Sequence, residues 1–344
     1  MKKTLFFISL LIIACSCQVK QSPLDEFSKT IEITTADSIV LENYGILSAN
    51  GAIVTDDMLV IGTRDDDYLL AFVPLLAPEK TFRKIHQGQG PNELTDGCLL
   101  YNLGGKVCLF DRGSECIYEI TTDSSDQVPH WMCSFPHQVY LNIDYVSDNR
   151  FLTSAFNDSC MMYMGDTLGN KISRIPIPQE SCVSDQPYNV QSYLWCINKF
   201  AANNDGTKFA YGVCNEGHMV FGDIVDDELV VCRQSFYGKA KVRQIESYGR
   251  IIYGDDNEAR VLSVASMKDC VAFLYSGRTR ESGKVTNLAN DILLYKWDGQ
   301  PYARLQLDRD VIHIMYCSKY NALYAISFNP EAVVVKYDLS DIIP

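Results

Sequence analysis

The stretch KIHQGQGPNELTDG, residues 84–97, has the glycine content of a loop that could hold a phosphate group. A dinucleotide-binding loop needs a third glycine, spaced G-x-G-x-x-G, between a strand and a helix. Here Gly88 and Gly90 are followed by Pro91, which lacks a backbone donor, and by Glu93, which would repel a phosphate. No helical pattern follows whose N terminus could bind an anion. We therefore predict that the stretch turns the chain between structural units, with the glycines at positive φ and Glu93 accepting backbone hydrogen bonds.

The residue types that carry out hydrolysis are present, but they form no known catalytic motif. The sequence has no G-x-S-x-G elbow, in which a strained turn exposes a nucleophilic serine. It also lacks the H-E-x-x-H pattern of zinc proteases. His313 alternates with two isoleucines, so it could face a central channel, but a structural role is the favoured interpretation and no catalytic residue is predicted. The five histidines are His86, His130, His137, His218 and His313.

Three acidic clusters could supply the oxygen ligands that calcium prefers. None of them fits the D-x-D-x-D-G loop, and each falls at a predicted turn, where Asp and Asn are expected for conformational reasons. We interpret them as turn residues, at positions 65–67, 226–228 and 255–258. No cofactor is predicted. A calcium or zinc ion in a central channel, bound by acidic residues from separate units, stays the alternative.

The thirteen cysteines do not have the pattern of a disulfide framework. With Cys15 and Cys17 set aside, the remainder is an odd number that cannot pair completely, and no C-x-x-C occurs. Most of the others lie in apolar, strand-like runs, where a free cysteine behaves as a small buried hydrophobe. We predict this buried role for them, with a few scattered disulfides as the alternative. The examples in such runs are Cys108, Cys116, Cys214, Cys232 and Cys270.

The N-terminal sequence MKKTLFFISLLIIAC has the layout of a bacterial export signal. Lys2 and Lys3 precede an apolar run, Leu5–Ile13, that is too short to span a membrane, which needs about 20 residues. The residues before Cys15, Ile-Ile-Ala, match the lipobox, in which a small residue precedes a cysteine that becomes acylated. We predict lipidation at Cys15, because more than one acyl chain gives durable membrane anchoring.

This anchor determines the predicted domain organisation. Residues 1–14 are expected to be a lipoprotein signal peptide, residues 15–26 a lipid-anchored tether, and residues 27–344 a single domain. No acidic cluster of the kind that marks surface export follows Cys15. We therefore expect an outer-membrane lipoprotein that faces the periplasm rather than the cell surface.

The charge of the chain argues against a nucleic-acid partner. Acidic residues outnumber basic residues by 43 to 30, which gives a formal net charge of −13. Affinity for nucleic acids comes largely from Lys and Arg, and the sequence contains no long basic run. We predict no nucleic-acid binding.

Beyond residue 30 the sequence consists of short runs rich in β-branched and aromatic residues, separated by turn residues. No amphipathic helix of three turns is predicted. Hairpins spread evenly along the chain must bury their apolar faces against one another, and radial repetition achieves this while leaving only short edges. At about 40–55 residues per four-stranded unit, the length predicts an all-β, six-bladed β-propeller rather than seven blades. A pair of β-sandwiches or a β-helix is the alternative. The predicted hairpins pair 58–62 with 68–73, 106–110 with 115–120, 208–214 with 218–224, 292–297 with 302–307 and 311–316 with 322–327, and 333–339 closes the chain.

The N-terminal part of the domain contains a lone strand candidate at residues 27–35. In propellers the first strand often completes the last blade. We predict that this N-terminal strand closes the ring by pairing with the C-terminal blade near Val333–Asp338.

Several turns resemble those of a known family. Asn203–Gly212, NNDGTKFAYG, resembles the S-P-D-G-K-x-I-A-F hairpin start of TolB-type propeller repeats. The segments beginning at Gly165 and Trp297 resemble the outer hairpins of related blades, and Gly88–Leu94 resembles the G-x-G-P-x-E-[FL] element of propeller lipoproteins from gut-type anaerobes. With the lipobox, the chain resembles the TolB-like six-bladed β-propeller lipoprotein family of Bacteroides-type bacteria, whose role is not established. The resemblance implies the propeller fold and carries over no catalytic residue.

The sequence favours a non-enzymatic binding module, a membrane-tethered propeller that presents its loops to another envelope protein or to a glycan. The identity of the ligand is not predicted. The alternative is a metal-dependent, lactonase-like or sugar-processing hydrolase with its site in the central channel. Such a site would be assembled from Glu, Asn and Asp of different blades, so its residues are unknown from the sequence alone.

Overall fold

The computed structural model describes residues 22–63, 67–95, 99–134, 140–147, 149–155, 160–178, 186, 188–246, 250–328 and 331–343. Within these ranges short strands dominate, as the β-branched and aromatic runs of the sequence require. The strands are, in chain order, β1 Thr30–Ile33, β2 Asp37–Val40, β3 Gly51–Val54, β4 Met58–Gly62, β5 Tyr68–Pro74, β6 Phe82–His86, β7 Leu99–Leu103, β8 Lys106–Asp111, β9 Cys116–Ile120, β10 His130–Ser134, β11 Tyr140–Ser147, β12 Arg150–Ala155, β13 Cys160–Asp166, β14 Lys171–Pro176, β15 Asn198–Ala202, β16 Lys208–Val213, β17 His218–Val225, β18 Glu228–Phe236, β19 Val242–Ile245, β20 Ile251–Tyr253, β21 Ala259–Ser266, β22 Cys270–Arg278, β23 Ala289–Lys296, β24 Pro301–Val311, β25 His313–Cys317, β26 Ala322–Ser327 and β27 Val333–Asp338.

Non-strand elements are few in the described part of the chain. One α-helix, α1 (Tyr188–Cys196), lies in the connection between β14 and β15 and was not predicted. Its side chains Val190, Leu194 and Trp195 are buried in the apolar core beside it. Short 3-10 turns occur at Pro23–Glu26, Leu41–Tyr44, Pro78–Lys80 and Arg280–Ser282. No helix of the described residues is long and apolar enough to cross a membrane.

The strands form six blades, each built on four antiparallel strands, and β1 adds a fifth, parallel strand to one of them. Blade 1 comprises β3–β6, blade 2 β7–β10, blade 3 β11–β14, blade 4 β15–β18 and blade 5 β21–β24, while blade 6 comprises β25–β27 with β2 outermost. The hairpin β19–β20 lies between blades 4 and 5. The innermost strands contact one another in the order β3, β7, β11, β15, β21, β25, and β25 contacts β3, so the ring is closed. The protein is therefore a six-bladed β-propeller, as predicted.

Six apolar clusters hold the ring together, one between each pair of adjacent blades. Strand geometry explains this arrangement, because successive side chains point to opposite faces of a blade. In β17, Val220 packs between blades 3 and 4, whereas Phe221 packs between blades 4 and 5. In β26, Leu323 faces blade 5 and Tyr324 faces blade 1. Each blade thus contributes to two cores, and burial of apolar surface joins the blades all around the ring.

The predicted hairpins are confirmed. Each predicted pair of runs forms neighbouring antiparallel strands of one blade, namely β4 with β5, β8 with β9, β16 with β17, β23 with β24 and β25 with β26. The turn between β15 and β16 has the expected chemistry, since Asn203 Oδ1 accepts hydrogen bonds from the Thr207 and Lys208 N–H groups. Gly206 adopts a φ of +67° in the same turn.

Both chain ends take part in ring closure, but through a different N-terminal strand from the predicted one. β2 pairs antiparallel with β27, from Asp37↔Lys336 to Val40↔Val333, so the predicted C-terminal partner is right. The prediction for residues 27–35 is wrong, because their strand, β1, pairs in parallel with β24 on the outer edge of blade 5. Chain connectivity explains this difference. β2 occupies the edge of blade 6 and leads directly into blade 1, so the strand before it, β1, lies on the adjacent blade 5.

The residues before β1 pack between blades 4 and 5, and we call residues 22–40 the N-terminal strap. Leu24 and Phe27 contact the apolar cluster between these blades, and the Phe27 ring meets Tyr295 edge-on with centroids 5.0 Å apart. The Glu26 side chain is only 2% exposed and forms an ion pair with Arg233 of β18 at 3.4 Å. The strap therefore runs from the groove beside blade 4, across the outside of blade 5, to the edge of blade 6.

The glycine-rich stretch connects β6 of blade 1 to β7 of blade 2, as predicted. Glu93 accepts a hydrogen bond from the Gly90 N–H at 2.8 Å, which is also as predicted. The prediction of positive φ for Gly88 and Gly90 is wrong, because the left-handed residues in this region are Ile85 and Asn92. Gly88 serves another purpose: a Cβ atom there would lie 1.9 Å from Glu93 Oε2, so any other residue would displace the Glu93 carboxylate.

The eight cysteines whose side chains the structure describes are free thiols: Cys108, Cys116, Cys133, Cys160, Cys214, Cys232, Cys270 and Cys317. Burial raises the pKa of Cys108 and of Cys270 to about 12, as expected for small buried hydrophobes. Cys116 and Cys214 are half-buried. The prediction is wrong for Cys232, which is exposed because it is the extra residue of a β-bulge on the outermost strand of blade 4.

Candidate functional site

Several polar side chains of the innermost strands bind the neighbouring blade. Asn102 of β7 donates from Nδ2 to the Val54 carbonyl oxygen of β3 at 3.0 Å. Ser266 of β21 donates to the Ala202 carbonyl oxygen of β15 at 2.8 Å. Backbone groups on the inner edge of a blade have no strand partner there, and buried ones need a hydrogen bond. These side chains therefore join adjacent blades and satisfy the inner edges at the same time.

Asn142 and Asp144 of β11 join blade 3 to blade 4 in the same way. Asn142 Nδ2 donates to Asn198 Oδ1 at 3.1 Å. Asp144 accepts the Ala202 N–H at 2.7 Å and the Tyr145 N–H at 2.9 Å. Burial raises the pKa of Asp144 to about 7, although both N–H donors act in the opposite direction. A carboxyl group that titrates near neutrality suits general base catalysis, yet both oxygens of this one are bound to backbone.

His313 of β25 links three blades. Its Nε2 lies 2.9 Å from the Ala52 carbonyl oxygen of blade 1, so Nε2 carries the proton and Nδ1 accepts. The Ser263 hydroxyl of blade 5 lies 2.8 Å from Nδ1 and also accepts the Ile314 N–H at 3.2 Å. Burial, aided by the positive charge of Lys199, lowers the pKa of His313 to about 4, so the ring is neutral at pH 7.

The Ser263–His313 pair has the components of a hydrolytic dyad, a serine hydroxyl bound to an imidazole nitrogen. Ser263 is only 1% exposed, however, and its oxygen is bound on both sides by protein groups. A nucleophile must reach the substrate carbon, which this hydroxyl is too deeply buried to do. The favoured structural interpretation of His313 is therefore the one that the geometry supports.

The other histidines are not brought together. His86 packs against Tyr68 with ring centroids 4.1 Å apart, and exposed His130 pairs with Asp126 at 2.8 Å. His218 is buried between Trp195 and Phe236, and burial lowers its pKa to about 4. His137 lies outside the described residues.

The acidic clusters occupy turns, and most of their described carboxylates bind groups of the protein itself. Asp227 pairs with Arg150 at 2.6 Å in the β17–β18 turn, and Asp256 pairs with Lys241 at 3.0 Å. The first two residues of the 65–67 cluster lie outside the described residues. Among the residues that the structure describes, no group of three or more His, Cys, Asp or Glu side chains could hold a metal ion. The metal-dependent alternative stays a prediction.

A cavity of about 310 Å³ opens where the innermost strands of blades 4, 5 and 6 end, and we call it the mouth cavity. It is formed by the turns that follow β15, β21 and β25. Buried Met267 and Ile343 provide its apolar part. The polar residues that line it are Asn204, Lys268, Asp269, Tyr316, Ser318 and Asn321.

In the wall of the mouth cavity, two side chains are held by hydrogen bonds, and several polar side chains have no partner among the described residues. Asn321, at a φ of +41°, accepts the Tyr316 hydroxyl at 2.9 Å and donates to the Ile343 carbonyl oxygen at 3.1 Å. The Tyr316 ring is thereby held in place. In contrast, four of the lining polar side chains have no hydrogen-bond or ion-pair partner within the described residues: Asn204, Lys268, Asp269 and Ser318.

The mouth cavity escaped the sequence analysis because its residues come from three turns far apart along the chain. Asn204 lies within the turn already singled out as N-N-D-G-T, but nothing in that motif marks a partner some 60 or 110 positions later. Only ring closure places these turns side by side. Lipidation at Cys15 remains a prediction, because Cys15 lies outside the described residues.

No family model and no curated protein matches the sequence. Among solved structures, the chain is similar to the β-propeller domain of Cps50 (Swd1) from Myceliophteria thermophila, with 10% identity, a TM-score of 0.44, and coverage of 87% of this chain and 99% of that chain. It is also similar to Raptor from Chaetomium thermophilum, with 10% identity, a TM-score of 0.45, and coverage of 91% of this chain and 29% of that chain.

Proposed function

We propose that this protein is a membrane-anchored binding module of the bacterial cell envelope, of the TolB-like propeller lipoprotein kind, and that its ligand occupies the mouth cavity. The observation that carries the proposal is the contrast between two sets of polar groups. Side chains along the channel wall bind neighbouring blades, whereas those around the mouth cavity have hydrogen-bonding capacity left for a ligand. Binding sites of this size combine an apolar floor with a few convergent polar groups.

The chemistry of the lining favours a glycan over an apolar ligand. A sugar presents hydroxyl groups that both donate and accept, and the amide of Asn204, the Ser318 hydroxyl and the Asp269 carboxylate complement them. Lys268 supplies a cation for an acidic or carbonyl substituent. The fixed ring of Tyr316 offers a flat apolar surface with a polar edge, which suits the C–H face of a sugar.

Lipidation at Cys15 would hold this site close to the membrane. The chain from Cys15 to Ser22 spans at most about 25 Å when fully extended. From Pro23 onward the strap is packed on the propeller. We propose an outer-membrane lipoprotein that faces the periplasm, with glycans or glycosylated proteins of the envelope within reach.

The test is direct binding of defined sugars to the purified full-length protein. Isothermal calorimetry with neutral, amino and acidic oligosaccharides should identify a class that binds, and Lys268→Ala or Asp269→Ala should weaken that binding. The matched control is Lys284→Ala, an exposed lysine away from the cavity that should leave binding unchanged. Binding that survives both cavity substitutions, or no binding of any sugar class, contradicts the proposal.

A further inference from the structure

Exposed large apolar side chains are concentrated on the outer edge of blade 4. Four of the eleven large apolar side chains that are exposed in the described ranges lie within twelve residues, on β18 and the end of β17. Their exposed fractions run from 41% to 51%, and they are Val225, Val230, Val231 and Phe236. Exposed apolar groups are ordinary when scattered, but a concentration of them marks an interaction surface.

Basic residues follow this edge directly. Lys239, Lys241 and Arg243 are all exposed and lie within five positions of one another, in a protein whose net charge is −13. Lys241 pairs with Asp256, whereas Lys239 and Arg243 have no ion-pair partner among the described residues. At the Phe236 end of this edge, apolar side chains lie beside unpaired basic ones, which is the pattern of surfaces that lie in the interface of an anionic bilayer. The other end, at the β17–β18 turn, has the exposed acidic residues Asp226, Asp227 and Glu228, so it does not belong to this surface.

The N-terminal strap begins at this same place. Glu26 pairs with Arg233, a residue of β18 itself, and Phe27 packs in the cluster between blades 4 and 5. Cys15 can lie no farther than about 25 Å from Ser22. An acyl group on Cys15 therefore places the membrane near the rim of blade 4. The opposite rim, at blade 1, could contact the membrane only if the propeller were rotated out of this orientation.

We infer that the rim of blade 4, formed by Val231, Phe236, Lys239 and Arg243, rests on the anionic phospholipid surface that holds the lipid anchor. This orientation rests on the proposed lipidation at Cys15. A single apolar strand edge binds a bilayer weakly, but an anchor tethered beside it raises its effective concentration at the surface. The propeller axis then lies parallel to the membrane plane, and the mouth cavity opens parallel to the membrane surface.

Cys232 provides the probe, because it is exposed on the rim, in the middle of β18. The acylated full-length protein is reconstituted in vesicles of phosphatidylglycerol and phosphatidylethanolamine, with a nitroxide on the lipid headgroup. An environment-sensitive fluorophore on Cys232, with the Cys232→Ser protein as blank, should be quenched at least threefold more strongly than one on Leu76→Cys in the Cys232→Ser background. Leu76 is 81% exposed on blade 1, across the ring.

Two substitutions separate the apolar and the charged contributions. Val231→Ser should lower the quenching of the Cys232 label about twofold, and so should Lys239→Gln, the latter only when phosphatidylglycerol is present. Lys80→Gln, an exposed lysine on blade 1, is the matched control and should change nothing.

The outcomes separate this inference from the proposed function. Intact-mass analysis that finds Cys15 unacylated overturns the lipoprotein proposal and this orientation with it. An acylated protein that floats with the vesicles but shows equal quenching at both rims overturns the orientation alone. A dimer in detergent, together with a Cys232 label that lipid quenchers do not reach, overturns it in favour of contact with a second copy.

Discussion

The channel wall and the mouth cavity are both rich in polar side chains, yet they use them differently. Along the wall, Asn102, Asp144 and His313 each bind a backbone group of the next blade. At the mouth, Lys268 and Asp269 have no hydrogen-bond partner among the described residues. A polar group that is already bound in the fold contributes to stability, and one that is unbound is available to a ligand. Substitutions at the two places should therefore separate stability from binding.

The largest effect is expected at His313. His313→Ala should lower the free energy of unfolding by roughly 2–4 kcal/mol, because it leaves the Ser263 hydroxyl and the Ala52 carbonyl oxygen buried without their partner. Urea denaturation of both proteins at pH 7 measures the difference. His130→Ala is the control, since that side chain is 51% exposed, and should change stability by less than about 0.5 kcal/mol. Equal changes in the free energy of unfolding of the two variants would contradict the structural role assigned to His313.

A pH-dependent effect is expected at His218, whose pKa is lowered to about 4 by burial. In the unfolded chain the imidazole of His218 binds a proton below about pH 6.5, whereas in the folded chain it does so only below about pH 4. The free energy of unfolding therefore decreases as the pH is lowered between these two values. His218→Phe removes this proton. Relative to the native protein, the variant should become more stable as the pH is lowered through this range, by up to about 1.4 kcal/mol per pH unit. Denaturation series at pH 7, 6 and 5 test it, and a difference independent of pH would contradict it.

The opposite sign is expected at Asp144, whose pKa is raised to about 7. Its contribution to stability is complete below the unfolded pKa near 4 and is lost as the pH rises through 7. Asp144→Asn cannot ionise but keeps one oxygen acceptor. Relative to the native protein, the variant should therefore gain stability with rising pH, by up to about 1.4 kcal/mol per unit between pH 4 and 7. Thermal unfolding at pH 5 and pH 8 measures the trend, and a difference between the two proteins that does not depend on pH would contradict it.

The smallest effect on stability is expected at the mouth cavity. Lys268→Ala should change the free energy of unfolding by less than about 0.5 kcal/mol, because the side chain is exposed and has no partner in the described structure. Loss of a charged hydrogen bond should nevertheless weaken glycan binding about tenfold. Calorimetry and urea denaturation on one preparation give both quantities. A destabilised variant would mean that the cavity wall, like the channel wall, belongs to the scaffold.

The hairpins and the blade number were predictable because they depend on local information. Alternating apolar residues and turn residues such as Asn203 and Gly206 define each hairpin within about 20 residues, and the length then sets the number of blades. The role of Glu93 was also local, since it binds Gly90 three residues away. The predictions that were wrong, and the site that was missed, concern features that arise only in the assembled ring. The parallel pairing of β1, the exposure of Cys232 and the mouth cavity all depend on which elements become neighbours after closure.

The pairing of β2 with β27 has a consequence for the order in which the molecule is made. β2 is synthesised long before its partner β27, so the last blade cannot close until β27 has emerged. Until then β2 lacks its strand partner, and chaperones and proteases can act on it. A nascent chain arrested before β27 would be an open and degradable arc.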